Sequence, residues 1–398
     1  MSVFDREGRY PGQRERLAFK YPVGGALQDE VMAFFVPFND AGNGIVNTSP
    51  TYAASGTTAT ATRATTAWTR LSTGLYGSVA SGSLRSYYDA NGFYRGYLPQ
   101  KQKINYALQS DDLTQIATWV ATTMTTSKTA TGADGAANSA TILTATAGNA
   151  TILQTLVRAS AQRITSCWIK RRTGSGVINM TQDNGVTWTP VTVTSDWTQV
   201  AIAAATAANP ILGLQIVTNT DAVDVMWFLH EEAAFASATP VPTTTASVTQ
   251  NGDQLSYPSA GNFDETVGTA YAEIYPLTVG TKVLNTYPLA ISGAANGFLF
   301  FIGGGGTLTI YDGTTYVASS GVLQANTLYK CASSWGANGL AVCKNGGTLG
   351  TGAFDGLLGT TPTTIKVGWS GTQPDACIQN ARIWTAQKSN AQLLAMTS

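Results

Sequence analysis

The side chains in this sequence that could bind a ligand are aromatic rings next to predicted turns. Trp188 follows one predicted hairpin turn, Trp197 lies near the next, and Tyr311 and Tyr316 flank a third turn at Asp312-Gly313. Sugar rings have apolar faces that stack on exposed aromatic rings, and loops often carry binding residues. We therefore predict Trp188, Trp197, Tyr311 and Tyr316 as glycan-binding candidates, with core or interface packing as the alternative for each.

Residues suited to catalysis are sparse. The only histidine, His230, is predicted to be a strand-end side chain that faces solvent or an interface. Glu231 and Glu232 are adjacent, so on a strand they would point to opposite faces and could not flank one glycosidic bond. The sequence contains no nucleophile elbow and no phosphate-binding loop. We predict no catalytic residues and a protein that is not an enzyme, with polysaccharide depolymerase kept as an alternative.

Metal ligands and cysteines give no stronger signal. Four aspartates could each supply an oxygen to Ca²⁺, but they are not clustered and turn capping is the alternative: Asp112, Asp134, Asp312 and Asp375. We predict no metal ligands and no cofactor, and leave a structural Ca²⁺ open. Cys331 and Cys343 lie about equally far from a turn, so either a cross-strand disulfide or two buried thiols would fit.

Composition favours β-structure and argues against several partners. The 398 residues carry 23 basic and 23 acidic side chains, a formal net charge of zero, which argues against nucleic acid. Thr, Gly and Ala are abundant, 43% of residues are hydrophobic, and the length suits two or three domains. No run of about 18 apolar residues is present, so we predict no membrane insertion. The first residues show no signal-peptide pattern.

Alternating apolar residues and turn signals divide the chain into two β-rich regions. Asn184-Gly185 between alternating runs is a strong hairpin signal, because both residues tolerate positive φ. Pro240 and Pro242 cannot donate ladder hydrogen bonds, so the segment between the regions is predicted to be an extended linker. Near the end, Ser389 and Gln392 form a capping-box pattern that predicts a short helix.

Two passages resemble known families. The order "acid pair, aromatic, small residues, Pro-Thr, Val-Thr, Leu-Ser-aromatic-Pro" at 231–258 resembles the end of a carbohydrate-binding-like jelly roll found in bacteriophage tail-fibre and virion-surface proteins. This chain has Gln250 where that family usually has Arg. The passages that begin at Arg63 and Arg85 resemble segments of the same proteins. The hairpin of 327–335 and 340–346 resembles the central hairpin of the concanavalin-like or laminin-G-like family.

These resemblances imply an all-β fold with two tandem antiparallel β-sandwiches, a jelly roll and then a concanavalin-like domain, preceded by an extended N-terminal attachment segment. The expected division is an attachment arm with short strands at 1–104, the jelly roll at 105–239, a linker at 240–252 and the second sandwich at 253–398. The apolar run of 31–38 is expected to be a buried strand or an anchor, with Phe34, Phe35 and Phe38 as virion-attachment candidates.

The implied role is that of a tail fibre, head fibre or decoration protein of a tailed-phage virion. It would contact host surface glycans by multivalent weak binding, and other virion proteins through its N-terminal segment. The resemblance further implies a homo-oligomer, with a trimer favoured, that is made in the host cytoplasm and displayed on the virion surface. A purely structural capsid or tail decoration protein without glycan binding is the second alternative to this role.

Overall fold

The computed structural model describes residues 31–35 and 60–398, without 261–262, 278–285, 304 and 369–375; for 31–35 and 286 it describes the backbone alone. These residues are almost entirely strands joined by turns, with one short helix, and the paired strands within the described ranges run antiparallel. The prediction of an all-β fold built from antiparallel sandwiches is confirmed. Phe38, Asp375 and the charged segment of 1–30 lie outside the described residues.

The N-terminal segment contributes seven short strands: β1 (Val31–Phe35), β2 (Thr60–Thr62), β3 (Ala67–Arg70), β4 (Tyr76–Val79), β5 (Ser86–Tyr88), β6 (Tyr94–Tyr97) and β7 (Lys103–Asn105). The strands of the first sandwich follow as β8 (Val120–Thr122), β9 (Met124–Ala130), β10 (Ala140–Ala145), β11 (Ala150–Thr155), β12 (Ala161–Thr173), β13 (Ile178–Thr181), β14 (Thr189–Val191), β15 (Thr198–Ala201), β16 (Ala205–Ala207), β17 (Ile211–Ile216) and β18 (Ala222–Glu231).

The remaining strands follow the linker: β19 (Val248–Gln250), β20 (Gln254–Pro258), β21 (Gly268–Pro276), β22 (Thr286–Ser292), β23 (Gly297–Ile302), β24 (Thr307–Tyr311), β25 (Tyr316–Val322), β26 (Tyr329–Trp335), β27 (Leu340–Lys344), β28 (Gly350–Gly352), β29 (Thr364–Val367) and β30 (Ala376–Trp384). The helix α1 (Asn390–Thr397) comes last. Ser389 caps it with the predicted capping box, since Ser389 and Gln392 each accept from the other's backbone N–H. No described helix is long and apolar enough to cross a membrane.

Two pairs of sheets enclose the two main cores. In the first sandwich, β15-β12-β18-β10-β9 faces β14-β13-β17-β11-β8, and alternate residues such as Leu143, Ile169 and Leu214 fill the space between them. In the second, β28-β27-β26-β21-β30-β6-β5 faces β2-β20-β29-β22-β23-β24-β25. Alternate residues along its strands, such as Leu289 and Ile310, fill that core. Because successive side chains of a strand point to opposite faces, the other face of each sheet points away from the core.

The N-terminal segment lies against both sandwiches. Within the described residues, β2 pairs with β20 and β6 pairs with β30 in the second sandwich, whereas β7 pairs with β18 in the first. The β3–β4 hairpin places Trp68 at 5.0 Å from Trp227 and Tyr76 at 5.5 Å from Trp168, measured between ring centroids. Residues 60–104, which the sequence assigned to an attachment arm, thus pack as part of the folded body.

A buried ion cluster, the Asp253 clamp (Arg63, Arg85 and Asp253), fixes this arrangement. Arg63 Nη1 lies 2.6 Å from Asp253 Oδ1, and Arg85 pairs with the other carboxylate oxygen. All three side chains are almost wholly buried. Other N–H groups of the two arginines donate to backbone carbonyls, including Val79 O at 3.0 Å from Arg63 and Trp68 O at 2.9 Å from Arg85. Arg63 and Arg85 therefore have a structural role, in which they join the N-terminal segment to Asp253.

The cysteines and turns test two further predictions. Cys331 lies opposite Lys344 and belongs to the core between the sheets, whereas Cys343 lies opposite Ala332 and packs on the α1 side. The two thiols thus point to opposite faces of one sheet, and both are free and buried. Asn184 and Gly185 both have positive φ, 64° and 72°, as the hairpin signal predicted.

Candidate functional site

The outer face of the second sandwich carries a continuous row of side chains across seven paired strands. Successive strand pairings place one residue from each strand side by side: Thr60, Ser256, Lys366, Ala290, Phe298, Tyr311 and Tyr316. The residues next to them in sequence, such as Leu289 and Ile310, point into the core. Because side chains alternate between faces, the row stands on the outside of the sheet.

Aromatic rings at one end of this row stack on each other. Tyr287, Phe298, Tyr311 and Tyr316 follow one another with centroid distances of 4.1, 5.5 and 4.0 Å and interplanar angles of 24°, 22° and 16°. Phe301 lies beside them, 5.3 Å from Tyr287 and 5.7 Å from Tyr316. We call these five residues the aromatic stack. Offset stacking of this kind contributes about 0.5–1.5 kcal/mol per pair beyond area burial.

The stack ends in solvent at Tyr316. Phe298 and Phe301 are buried and Tyr311 is half-buried, but Tyr316 remains 58% exposed on β25, the last strand of its sheet. Burial, and then the neighbouring Tyr316, raise the pKa of Tyr311, so its phenol stays neutral near pH 7. The stack therefore presents the exposed ring of Tyr316, which rests on the rings of Tyr311 and Phe301.

Carboxylates lie next to the exposed end of the stack. Asp312 Oδ1 accepts from the backbone N–H groups of Thr314 at 2.8 Å and Thr315 at 2.6 Å, which fixes the turn between β24 and β25. The exposed Asp355 accepts a hydrogen bond from Thr314 Oγ1 at 2.9 Å, and Thr314 precedes Tyr316 by two residues. An exposed ring beside an exposed carboxylate can contact both the apolar face and the hydroxyl groups of one sugar.

The two tryptophan candidates lie apart from the stack. The ring of Trp188 packs on its own hairpin, so close to Gly185 that a Cβ at that position would lie 2.9 Å from the ring. Trp197 packs at the edge of the Trp168–Trp227 cluster, with Lys170 Nζ 5.2 Å from its ring centroid. Of the four predicted aromatics, the structure brings together Tyr311 and Tyr316 only. A binding role for each of the four stays a prediction.

Three members of the stack escaped the sequence analysis. Tyr287, Phe298 and Phe301 were not among the residues that it predicted to bind a ligand. A register shift between Phe298 and Phe301 on β23 puts both on the outer face, while Leu299 and Phe300 point inward. A strict period of two would have placed Phe298 and Phe301 on opposite faces, so no local signal could have paired them.

The attachment candidates are only partly described. Backbone pairing places Phe34 opposite Arg382 and Phe35 opposite Ala381, so β1 adds a strand beside β30. Phe38 lies outside the described residues. The expectation that the run of 31–38 includes a strand agrees with this pairing over Val31–Phe35, and virion attachment by these residues stays a prediction.

His230 lies near the end of β18, as predicted, but the prediction that its side chain faces solvent was wrong. It is 2% exposed, because β18 continues past it to Glu231 and pairs with β12, where His230 lies opposite Thr165. Glu231 is also buried and accepts from Ser237 Oγ at 2.8 Å, whereas Glu232 is half-exposed and lies 2.7 Å from Arg163 Nη2. The two carboxylates therefore lie in different surroundings, although β18 ends at Glu231 and Glu232 lies beyond it.

The aspartates considered for Ca²⁺ cap turns. Asp112 and Asp134 each accept from the backbone N–H two residues later, at 3.2 and 3.0 Å, as Asp312 does at 2.8 Å. Asp375 is outside the described part of the chain. Among the residues that the structure describes, no three His, Cys, Asp or Glu side chains form a group that could hold a metal ion.

Comparison with known proteins gives structural likenesses only. No protein-family model matches the chain, and no curated protein sequence matches it. A Trypanosoma rangeli sialidase with the inhibitor DANA matches 36% of this chain and 26% of its own at 13% identity and TM-score 0.30. The same sialidase with sialic acid matches 69% of this chain and 52% of its own at 8% identity and TM-score 0.29. This chain thus spans about a quarter to a half of those sialidases.

A third likeness is to a tandem CBM22 domain from Paenibacillus barcinonensis, which matches 71% of this chain and 97% of its own at 8% identity and TM-score 0.25. Such values describe a coarse likeness among β-rich chains and assign no ligand and no active site. They do correct one prediction. The sequence predicted a protein that is not an enzyme, and matches to sialidases, which are enzymes, contradict it. Absence of catalysis is therefore not part of the function proposed below.

Proposed function

We propose that this protein binds glycans through the exposed end of the aromatic stack. The observation that carries the proposal is the stack itself, in which Tyr316 is 58% exposed and rests on Tyr311 at 4.0 Å. A ring held in place by its neighbours loses little conformational entropy when a sugar stacks on it. Asp355, which is exposed beside the same turn, accepts hydrogen bonds from sugar hydroxyl groups.

The setting in which this binding acts follows from the sequence resemblances. We propose a virion-surface protein of a tailed bacteriophage, in a tail fibre, head fibre or decoration, that meets host surface glycans. Several copies on one virion raise avidity without a strong individual site, because binding of the second copy becomes intramolecular. The sheet row from Thr60 to Tyr316 supports this proposal by supplying a rigid, outward-facing platform.

A glycan array with the full-length protein, followed by calorimetric titration of the best ligand, tests the proposal. Tyr316→Ala is expected to weaken binding by about 0.5–1.5 kcal/mol, or about two- to twelvefold in Kd. Phe93→Ala is the matched control, because Phe93 is a similarly exposed aromatic residue, 60% against 58%, far from the stack in sequence. Equal losses in both variants, or an array without any bound glycan, would contradict the proposal.

A further inference from the structure

The outer face of the first sandwich is only partly covered. On the sheet β15-β12-β18-β10-β9, the β3–β4 hairpin packs over Trp168 and Trp227. Strand register places a further row of side chains next to this covered part: Trp197, Lys170, Asp224, Ile142 and Ser127. We call these five residues the Lys170 row. Their neighbours in sequence fill the core, so the row points outward: Ile169, Val225 and Leu143.

Two cations on this face share one carboxylate. Arg172 Nε lies 2.6 Å from Asp224 Oδ1, and Lys170 Nζ lies 3.4 Å from Asp224 Oδ2. The Asp224 side chain is 2% exposed, whereas those of Arg172 and Lys170 are 39% and 26% exposed. The carboxylate therefore lies beneath the two cations, and the site presents a surplus of one positive charge to solvent.

The N–H groups of the two cations suit a second anion. A guanidinium has five N–H groups and an ammonium has three, and only some of those on Arg172 and Lys170 are directed at Asp224. The exposed Asp196 precedes Trp197, but neither cation pairs with it in the part of the chain that the structure describes. An anionic group of a ligand can thus accept charge-assisted hydrogen bonds here.

Apolar side chains lie on both sides of the cations. Lys170 Nζ is 5.2 Å from the ring centroid of Trp197, and Ile142 lies on the other side of Asp224. Both apolar side chains are half-buried. Neighbouring strands are about 4.8 Å apart, which is close to the width of a pyranose ring. A sugar that contacts the accessible part of Trp197 therefore brings a ring substituent to Lys170.

We propose that the Lys170 row binds a uronic acid residue of a glycan, whose carboxylate pairs with Lys170 and Arg172 while its C–H groups contact Trp197. The inference rests on the proposed function in taking a glycan as the ligand, but it uses a separate site, since the aromatic stack belongs to the other sandwich. It adds a selectivity for acidic over neutral sugars. Only Trp197 among these residues was predicted from the sequence as a binding candidate.

A pair of matched sugars tests this selectivity. Full-length protein labelled with ¹⁵N-tryptophan has nine tryptophans, and comparison with Trp197→Phe assigns the indole signal of Trp197. Methyl β-glucuronide is expected to shift this signal in a saturable manner. Methyl β-glucoside, which has a hydroxymethyl group in place of the carboxylate, is expected to bind about fivefold more weakly, because it forms no charge pair. Inorganic phosphate at equal ionic strength, which has no C–H groups, is expected to bind more weakly than the glucuronide.

A pair of lysine variants tests the cation. Lys170→Gln keeps a hydrogen-bond donor next to Asp224 but removes the positive charge. It is expected to weaken glucuronide binding about two- to fivefold and to leave glucoside binding unchanged. Lys128→Gln is the matched control, because Lys128 Nζ also lies 3.4 Å from a carboxylate, that of Asp111, and its side chain is 28% exposed against 26%.

The two proposed sites can fail separately. A glucuronide-dependent shift of the Trp197 signal that persists in Tyr316→Ala supports the Lys170 row whatever the aromatic stack does. An unchanged Trp197 signal with glucuronide, while glycan binding on the array still depends on Tyr316, overturns the Lys170 row and leaves the proposed function intact. Equal affinities for glucuronide and glucoside, equal affinities for glucuronide and phosphate, or equal losses in the two lysine variants also overturn it.

Discussion

The two sandwiches place their distinctive groups in opposite ways. In the second sandwich, apolar rings stand on the outer face of a sheet and end at an exposed Tyr316. In the first, polar groups of His230, Arg163 and Gln182 turn inward and meet at the rim of the core. Aromatic rings on the surface and polar groups in the interior both depart from the usual distribution of residues between surface and core, and each costs solvation free energy.

The aromatic stack and the polar groups of the first sandwich also differ in the contacts that hold them in place. The aromatic stack is maintained by cross-strand neighbours, so it is a surface that needs only its own sheet. The polar groups of the first sandwich depend on a chain of hydrogen bonds from Ala203 through Gln182 and Thr165 to His230. Experiments that remove supports one at a time test this contrast.

The largest effect is expected at the Asp253 clamp. Asp253→Ala leaves Arg63 and Arg85 buried without a carboxylate and should lower the free energy of unfolding by about 3–5 kcal/mol. Urea unfolding followed by tryptophan fluorescence measures this loss. The control is Asp134→Ala, which removes a partly exposed turn carboxylate and should cost about 1 kcal/mol. If the two variants lose equal stability, the clamp does not hold the N-terminal segment against both sandwiches.

The next effect is a pH dependence confined to the first sandwich. Burial, and secondarily the charge of Arg163, lower the pKa of His230 from 6.5 to about 3. Above pH 6.5 the imidazole is neutral in both folded and unfolded chains, so it has no effect there. As the pH falls below 6.5, only the unfolded chain takes up the proton, and stability decreases until about pH 3.

His230→Gln removes this titration. Between pH 7 and pH 5, the wild type is expected to lose about 2 kcal/mol more unfolding free energy than the variant, from proton linkage at one group. Urea unfolding of both proteins at the two pH values gives the difference, in which carboxylates common to both proteins cancel. Identical pH dependence would show that the folded chain takes up this proton as readily as the unfolded chain does, which would contradict the lowered pKa of the buried His230.

The smallest effect concerns coupling within the aromatic stack. A double-mutant cycle of Tyr311→Ala and Tyr316→Ala should give an interaction energy of about 0.5–1.5 kcal/mol in unfolding free energy. Tyr316→Ala paired with Phe93→Ala is the control cycle, and it should be additive. Additivity in both cycles would mean that Tyr311 does not support the exposed ring of Tyr316. The contrast between the aromatic stack and the buried polar groups of the first sandwich would then disappear.

Much of the fold could be predicted from local signals. Alternating apolar residues predicted the strands of both sandwiches, and Asn184-Gly185 predicted a turn whose two residues do have positive φ. Tyr311 and Tyr316 were found because they flank one turn, and the turn of 312–315 brings them together across a hairpin. The other members of the stack come from strands separated along the chain, so a single sequence does not reveal that they meet.

The sequence by itself determined the all-β class, the hairpin turns and the capped C-terminal helix, because each depends on residues a few positions apart. Only the tertiary structure decided which aromatic rings stack, that Arg63 and Arg85 share Asp253, and that His230 is buried. These features depend on strand register, one bulge and contacts between segments as far apart as 190 positions in sequence. Long-range register is a collective result of packing two faces of every sheet at once, and no local pattern specifies it.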